Sequence, residues 1–168
     1  MKKLVTVIFA VWIGIGFALG QSKTVREFHG KYKDDRDAKV VSLNGSLFKL
    51  MSAIASYDTE DEDAQVIARI GDGIESMDIL SVPLFDSGLQ PAEFDGLKDK
   101  LKSEKYEELM NVRDGRDRVS VMTQGGTNEV KNMVILIRDE DSAVVVNVNG
   151  TLDMKDIAYL AKKRKNWY

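Results

Sequence analysis

The second half of the chain constrains the fold more than any other stretch, because its hydrophobic pattern has a period of two. Its apolar runs are short, rich in valine and isoleucine, and separated by turn sequences at residues 114–115, 125–126 and 139–142. The run at residues 131–138 is apolar on both faces, which favours a central position in a sheet. Consecutive strands joined by such short turns pair antiparallel. The pattern therefore predicts a C-terminal four-strand meander.

Strand alternation also assigns side chains to faces. The first strand of the meander is expected to present one face through Tyr106, Glu108, Met110 and Val112. The last strand, at residues 143–148, ends near Gly150, and Asp153 is placed to cap a final helix. That helix has its apolar face at Met154, Ile157, Ala158, Leu160 and Ala161.

The start of the chain alternates helices with strands. Val25, Phe28 and Tyr32 have helical spacing, whereas residues 39–43 are typical of a strand. A helix follows, for which Ser46 is the expected N-cap. The apolar residues of that helix are Leu47, Leu50, Met51 and Ile54.

Two further helices flank a strand in the middle of the chain. A helix is predicted over residues 64–70, with Gly71 at its end. Residues 77–84 favour a strand that Pro83 either ends or places at a sheet edge. Pro91 is favourable in the first turn of the next helix. The apolar stripe of that helix consists of Phe94, Leu97 and Leu101.

Together these elements predict an α+β fold, with a largely antiparallel sheet that ends in the meander and with helices packed on one face. The chain is long enough for one sizeable core. It contains no internal repeat and no linker that would divide two domains. We expect residues 21–168 to form a single domain.

The first 20 residues have the three parts of a secretory signal peptide. Lys2 and Lys3 precede an apolar run that reaches Leu19, and small residues end it just before Gln21. The run is shorter than the roughly 20 residues that a spanning helix needs. No cysteine follows the cleavage position, so lipid attachment is not expected. The sequence predicts that residues 1–20 are removed and that the mature chain is periplasmic or secreted.

Several of these segments together resemble a known family. They are the early helix with Phe28 and Tyr32, the strand–helix unit of residues 40–54, YEELM at residues 106–110 and VNVNGTLDMKDI at residues 146–157. In this combination the chain resembles the DUF4252 proteins, which are small secreted or lipid-anchored proteins of Bacteroidetes without an established activity. The resemblance implies an envelope location and a single α+β domain, and it supplies no catalytic residue. Gln21 stands where the lipid-anchored members have cysteine, which puts membrane tethering in doubt.

Charge and composition exclude several functional classes. The formal net charge of −3 gives no electrostatic reason to expect a nucleic-acid partner. With no cysteine and one histidine, His29, the chain cannot build a thiolate site or a histidine-rich zinc site. No Gly-x-Ser-x-Gly elbow surrounds Ser42, Ser46 or Ser120. We therefore predict no catalytic, cofactor-binding or metal-binding residue.

The acidic stretch from Asp58 to Asp63 is the first candidate for cation binding, but it does not fit an EF-hand loop. Asp63 occupies the sixth position, where glycine is needed, and Arg69 occupies the twelfth, where a bidentate glutamate is needed. A solvated loop is the favoured interpretation, and weak cation binding is the alternative. The acidic turn at residues 139–141 receives the same interpretation.

The C-terminal segment from Lys162 to Tyr168 joins four cationic residues to two aromatic ones. Such a segment is able to contact anionic lipid headgroups or an acidic partner. The favoured interpretation is simpler. Cations complement the dipole at a helix C-terminus, and terminal aromatic residues often fold back on their own domain.

The function predicted from these observations is that of a non-catalytic binding or accessory module of the envelope, with another envelope protein as its partner. The solvent side of the meander is the expected surface, and Ser120, Met122 and Asn147 are candidates for it, although a one-residue slip in register reverses every assignment. The alternative is a small hydrolase that uses carboxylates with His29. The first function requires a free sheet face or apolar patch, and the second requires a pocket where these groups converge.

Overall fold

The computed structural model describes residues 21–57, 60–85 and 87–164, so the predicted signal peptide lies outside the described residues. In chain order the helices are α1 (Lys23–Tyr32), α2 (Gly45–Ala55), α3 (Glu62–Gly73), α4 (Pro91–Asp95), α5 (Leu97–Ser103) and α6 (Met154–Arg164). The strands are β1 (Lys39–Asn44), β2 (Ile74–Pro83), β3 (Glu107–Asp114), β4 (Asp117–Gly125), β5 (Glu129–Arg138) and β6 (Ser142–Asp153).

These strands form one six-stranded sheet in the order β1-β2-β6-β5-β4-β3, and every neighbouring pair is antiparallel. Strands β3 to β6 are neighbours in chain order, so the predicted C-terminal meander is confirmed. The β1–β2 pair, connected through α2 and α3, adds to the other side of β6. The predicted α+β class is therefore confirmed.

One side of the sheet, which we call the covered face, carries the larger hydrophobic core. Helices α1, α4 and α5 contribute Phe28, Phe94 and Leu101 to it, and the rings of Phe28 and Phe94 meet edge to face with centroids 6.0 Å apart. From the strands come Leu80, Val82, Met122, Val134, Leu136, Ala143 and Val145. Burying large apolar side chains of this kind stabilises a fold by about 1.5–3 kcal/mol each.

A smaller cluster lies at one end of the opposite side of the sheet. Phe48 of α2, Ile70 of α3 and Ile157 of α6 pack there, against sheet residues that include Met77, Met133 and Val148. The helices are thus divided between the two sides. Helices α1, α4 and α5 lie together on one face, as predicted for the helices, whereas α2, α3 and α6 pack against the opposite side of the sheet.

Helix boundaries differ from the predicted ones where polar side chains bond to backbone N–H groups. Asn44 caps α2 in place of Ser46, because its Oδ1 accepts hydrogen bonds from the backbone N–H groups of Ser46 and Leu47 at 3.1 and 3.4 Å. Asp61 caps α3 in the same way, so that helix begins at Glu62, two residues earlier than predicted. The helix predicted from Pro91 is divided at Gly96 into α4 and α5.

Strand β3 does not keep one face throughout, which corrects the predicted alternation. The register shifts between Glu108 and Met110, so a β-bulge lies at Leu109. Glu108 pairs with Met122 of the covered face, whereas Met110 pairs with Val121 of the opposite face. A bulge inserts one residue and reverses the alternation beyond it, and strict spacing in the sequence cannot reveal this.

Candidate functional site

A continuous row of apolar side chains crosses the sheet on the side opposite to the covered face. Directly paired residues of an antiparallel sheet point to the same side, so the register identifies the members of the row. In order across the six strands they are Val41, Ile79, Val146, Ile135, Val121 and Met110. With strands about 4.8 Å apart, the row spans roughly 24 Å.

A second row lies beside the first, towards the turns that join β3 to β4 and β5 to β6. Its members, in the same order, are Lys39, Ser81, Val144, Ile137, Val119 and Val112. Four of these six side chains are apolar, and the two polar ones lie at the β1–β2 side. We call these two rows the open face.

Burial along β5 shows how differently the two sides of the sheet are packed. Val134 and Leu136 on the covered face are 0% and 5% exposed, whereas Ile135 and Ile137 between them are half-buried. Neither isoleucine belongs to a buried cluster, and the same is true of Val119 on the neighbouring strand. Val121 of the first row is buried, at 8% exposure, but among the described residues of the open face only Val146 packs against a buried cluster.

The second helix group borders the open face without extending over it. Met77, Met133 and Val148 form the adjacent row, and these are the residues against which α2, α3 and α6 pack. Val146 lies at the boundary, because it contacts that cluster and also belongs to the first row of the open face. The open face is therefore an uncovered continuation of a packed surface.

The residues predicted for this surface lie on the other side of the sheet. Ser120, Met122 and Asn147 are 9%, 0% and 0% exposed and belong to the covered face. Their chain neighbours Val119 and Val121 belong to the open face instead. The named candidates were wrong by one position, which in a strand exchanges the two faces.

The open-face residues of β5 and β6 were missed although the sequence carries a signal for them. Residues 133–137 and 143–148 are apolar without alternation, so both faces of these strands are apolar. A continuous apolar run usually means that both faces are buried. Here only one face is covered, and this depends on how few helices reach the other side.

The edge of the sheet at β3 is protected against strand pairing. All eight of its residues are exposed, but Glu107, Glu108, Arg113 and Asp114 carry charge, and the bulge at Leu109 interrupts the ladder. Charges and bulges on an edge strand both oppose pairing with another chain. The face of the sheet is therefore a better binding surface than this edge.

The single histidine lies beside a shallow cleft that lacks the order of a catalytic triad. His29 and Asp78 both line this cleft, whose volume is about 320 Å³. Ser42 Oγ donates a hydrogen bond to Asp78 Oδ1 at 2.7 Å. In a triad, serine donates to histidine and histidine donates to the carboxylate. Ser42 donates to the carboxylate directly, and neither Ser46 nor Ser120 lines this cleft.

Three carboxyl groups have a lowered pKa, which favours their charged form and therefore ion pairing. Hydrogen bonds from cationic side chains lower the pKa of Glu93, Glu108 and Asp156, whose partners are respectively Lys31, Lys98 and Arg69. In each pair the closest nitrogen–oxygen distance is 2.7 Å. A catalytic general acid needs a raised pKa instead. The three ion pairs link α1 to α4, α5 to β3 and α3 to α6.

The acidic segments take part in local structure. Asp61 caps α3, and Asp63 accepts a hydrogen bond from the hydroxyl of Tyr159 at 2.9 Å. Asp139 accepts bonds from two backbone N–H groups in the β5–β6 turn and from the Ser142 hydroxyl. Burial acts to raise the pKa of Asp139, but these hydrogen bonds together lower it. Asp58 lies outside the described residues. Among the residues that the structure describes, no group of three or more potential ligands could hold a metal ion.

The C-terminal segment, for which lipid or partner contact was the less favoured interpretation, is described only in part. Helix α6 ends at Arg164, and residues 165–168 lie outside the described residues. Lys162 is exposed. Of the helices in the described part of the chain, none has the length and hydropathy required to cross a membrane.

The fold and its surfaces define a small α+β domain, built on a six-stranded antiparallel sheet with one open apolar face. The chain belongs to the DUF4252 family, a domain of unknown function, whose family model matches residues 32–160. The match extends from the end of α1 into α6 and so includes the whole sheet. The predicted family is thereby confirmed. Neither curated proteins nor solved structures gave a match to this chain.

Proposed function

We propose that this protein is a non-catalytic binding or accessory module that holds a protein partner on its open face. The observation that carries the proposal is the apolar row across all six strands, most of which lies outside both buried clusters. Apolar surface gains about 25 cal/mol for each Å² that is removed from water. A contiguous apolar surface on a folded domain is typical of an interaction site.

The surroundings of the open face indicate the chemistry of the partner. The β3–β4 and β5–β6 turns, next to the second row, bring together Asp114, Asp117, Asp139, Glu140 and Asp141. Arg116 is the one basic residue in this group, and it pairs with Glu140 at 3.2 Å. Protein interfaces commonly have an apolar centre and a polar rim. We expect a partner with an apolar patch bordered by lysine or arginine.

The proposed setting of this interaction is the cell envelope. The signal-peptide features of residues 1–20 support export, and removal of these residues would leave residues 21–168 as a single domain. The partner would then be another envelope protein. Sequencing the N-terminus of the protein recovered from its host tests this proposal, with Gln21 expected as the first residue.

Crosslinked pull-down from the envelope fraction of the host, with the protein at its native level, tests the binding function. Two neighbouring residues of β3 make a matched pair, because both are exposed and they point to opposite faces of the sheet. Val112→Lys places a charge on the open face and should reduce recovery of the partner at least roughly tenfold. Asn111→Lys places the same charge on the other side and should leave recovery unchanged.

Two results would contradict the binding function. One is equal recovery of the partner by wild type and Val112→Lys. The other is the absence of any reproducible partner when a known envelope complex is captured in parallel.

The hydrolase alternative is favoured by one observation, the shared cleft of His29 and Asp78. It predicts turnover of ester or glycoside substrates by the purified protein, abolished by His29→Ala. Such a result would replace the non-catalytic function with an enzymatic one. A trace activity that is retained in His29→Ala would instead indicate a contaminant.

A further inference from the structure

Helix α2 exposes a stripe of apolar side chains. Leu47, Leu50, Met51 and Ile54 follow the spacing i, i+3, i+4 and i+7, which in a surface helix normally marks the buried side. They are 41%, 59%, 56% and 64% exposed, and Tyr57, just beyond the helix, is 88% exposed. We call these five residues the α2 stripe.

The packing of α2 on α3 explains why the stripe is exposed. Ser52 is 3% exposed, and an added Cβ at Gly71 of α3 would clash with it, so the two helices meet through small groups. Phe48 fills the second cluster. Phe48 and Ser52 are one turn apart on the helix, and the stripe occupies a different side. The side of α2 that faces α3 therefore carries smaller and more polar side chains than the stripe does.

The exposed apolar surface of α2 is comparable in size to the largest apolar patches of monomeric proteins, which are often functional. Ile67 of the neighbouring helix α3 is also exposed, at 52%. Side chains of this size and exposure present an area on the order of several hundred Å². One partner of a standard protein interface contributes about 800 Å². The stripe and its surroundings thus approach the size of an interface.

We propose that the α2 stripe binds the α2 stripe of a second copy of this chain, with the two helices antiparallel. Leu47, Leu50, Met51 and Ile54 lie symmetrically about the midpoint between Leu50 and Met51. In the antiparallel arrangement Leu47 lies opposite Ile54 of the partner subunit, and Leu50 lies opposite Met51 of the partner subunit. The stripe is self-complementary, as a two-fold interface requires.

The charges near the two ends of the stripe favour a second copy of this chain, bound in the antiparallel orientation. Glu60, Asp61 and Glu62 follow the stripe, whereas the N-terminal half of α2 carries Lys49 and the positive end of the helix dipole. Antiparallel pairing brings the acidic end of each copy to the basic end of the other. Parallel pairing would bring the two acidic ends together. The same carboxylates oppose docking on an anionic lipid surface.

The mass of the protein in solution tests the dimer. Sedimentation of the full protein, purified from its host, should give the mass of two chains at high concentration and of one chain on dilution. Leu50→Glu should weaken self-association by about a hundredfold or more, since it places a charge at the centre of the seam twice. Val112→Lys, on the open face, should leave the dimer intact. Circular dichroism should be unchanged in both variants.

Cysteine crosslinking tests the orientation. The chain has no cysteine, so no native thiol competes with the introduced ones. A mixture of Leu47→Cys and Ile54→Cys proteins should form mixed disulfide dimers on oxidation. Either variant alone should crosslink poorly, because seven residues of helix separate like positions by about 10 Å along the axis. Efficient crosslinking of each variant with itself would overturn the antiparallel arrangement.

Three further results would overturn the dimer. The first is a monomer at every concentration. The second is a dimer that Leu50→Glu leaves unchanged. The third is a monomer that binds vesicles of mixed neutral and anionic lipid through Leu50, which would assign the stripe to a membrane surface.

Discussion

The covered and open faces belong to the same six strands, yet the more polar of the two is the buried one. The covered face contains Asn132, Asn147 and Asn149 at 6%, 0% and 7% exposure. The first row of the open face is apolar from one edge of the sheet to the other. Hydrophobicity therefore does not decide which face the helices cover.

The two faces differ in what their side chains contact. On the covered face two of these three asparagines have hydrogen-bond partners, as when Asn149 Nδ2 donates to Ser76 Oγ at 2.9 Å, whereas Asn147 has none in the described structure. On the open face, by contrast, most of the apolar side chains lie outside both buried clusters. Apolar surface left in contact with water is unfavourable unless another surface covers it. This contrast is the physical basis of the proposed binding function.

The largest expected effect comes from truncating adjacent residues of β2. Leu80→Ala on the covered face, where the side chain is 1% exposed, should lower the free energy of unfolding by about 2–5 kcal/mol. Ile79→Ala on the open face should lower it by about 1 kcal/mol. Urea denaturation of the two variants measures both values. Equal losses would show that the open face is packed within a single chain.

The second prediction concerns the covered face at alkaline pH. Burial raises the pKa of Tyr106 to about 12 from an ordinary value of 10.0, and the charge of Glu104 adds to the shift. Between these two pH values the unfolded chain loses its phenol proton first, so stability decreases as the pH rises. The loss should reach about 2–3 kcal/mol near pH 12 and be absent below pH 10.

Tyr106→Phe is the control for the alkaline loss. Its hydroxyl has no hydrogen-bond partner among the described residues, so its removal should change stability little at neutral pH. Denaturation curves of both proteins from about pH 9 to 12 give the difference. If the variant loses stability over this range as steeply as wild type, the phenol is not the group responsible.

The smallest expected effect distinguishes two asparagines of β6 on the covered face. Asn147 is fully buried, and neither of its amide atoms has a partner in the described structure. Asn147→Val should therefore raise the free energy of unfolding by about 1 kcal/mol, or the melting temperature by about 3 °C. Asn149→Val should lower it by a similar amount, because it leaves Ser76 unpaired. Destabilisation by Asn147→Val would indicate a buried water bound to the amide.

Much of the architecture could be predicted because it depends on local patterns. The turn at Gly115, which has a φ of +56°, and the apolar runs on either side of the later turns define the meander. The cap at Asp153 is equally a local feature, and its side chain accepts a hydrogen bond from the backbone N–H of Lys155 at 2.7 Å. Signals of this kind act within a few residues, where sequence spacing is reliable.

The candidate surfaces could not be predicted at the level of residues, because they depend on tertiary contacts. The faces of Ser120 and Met122 follow from a register that only strand pairing fixes. Spacing places Leu50 and Ile54 on one stripe but does not indicate whether anything covers it. Their exposure follows from the contact between Ser52 and Gly71. Two small residues far apart in the chain thus determine which side of α2 faces outward.

The position of β6 also has a consequence for the order of folding. It is the last strand in the chain, yet it lies third in the sheet and joins β2 to the meander. During synthesis the β1–β2 pair has no other sheet neighbour until residue 142 and those after it have emerged. Closing this long loop costs chain entropy, so the association of β2 with β6 is expected to be the slow step. A chain that stops before β6 would leave two separate pieces of sheet, each with an unpaired edge.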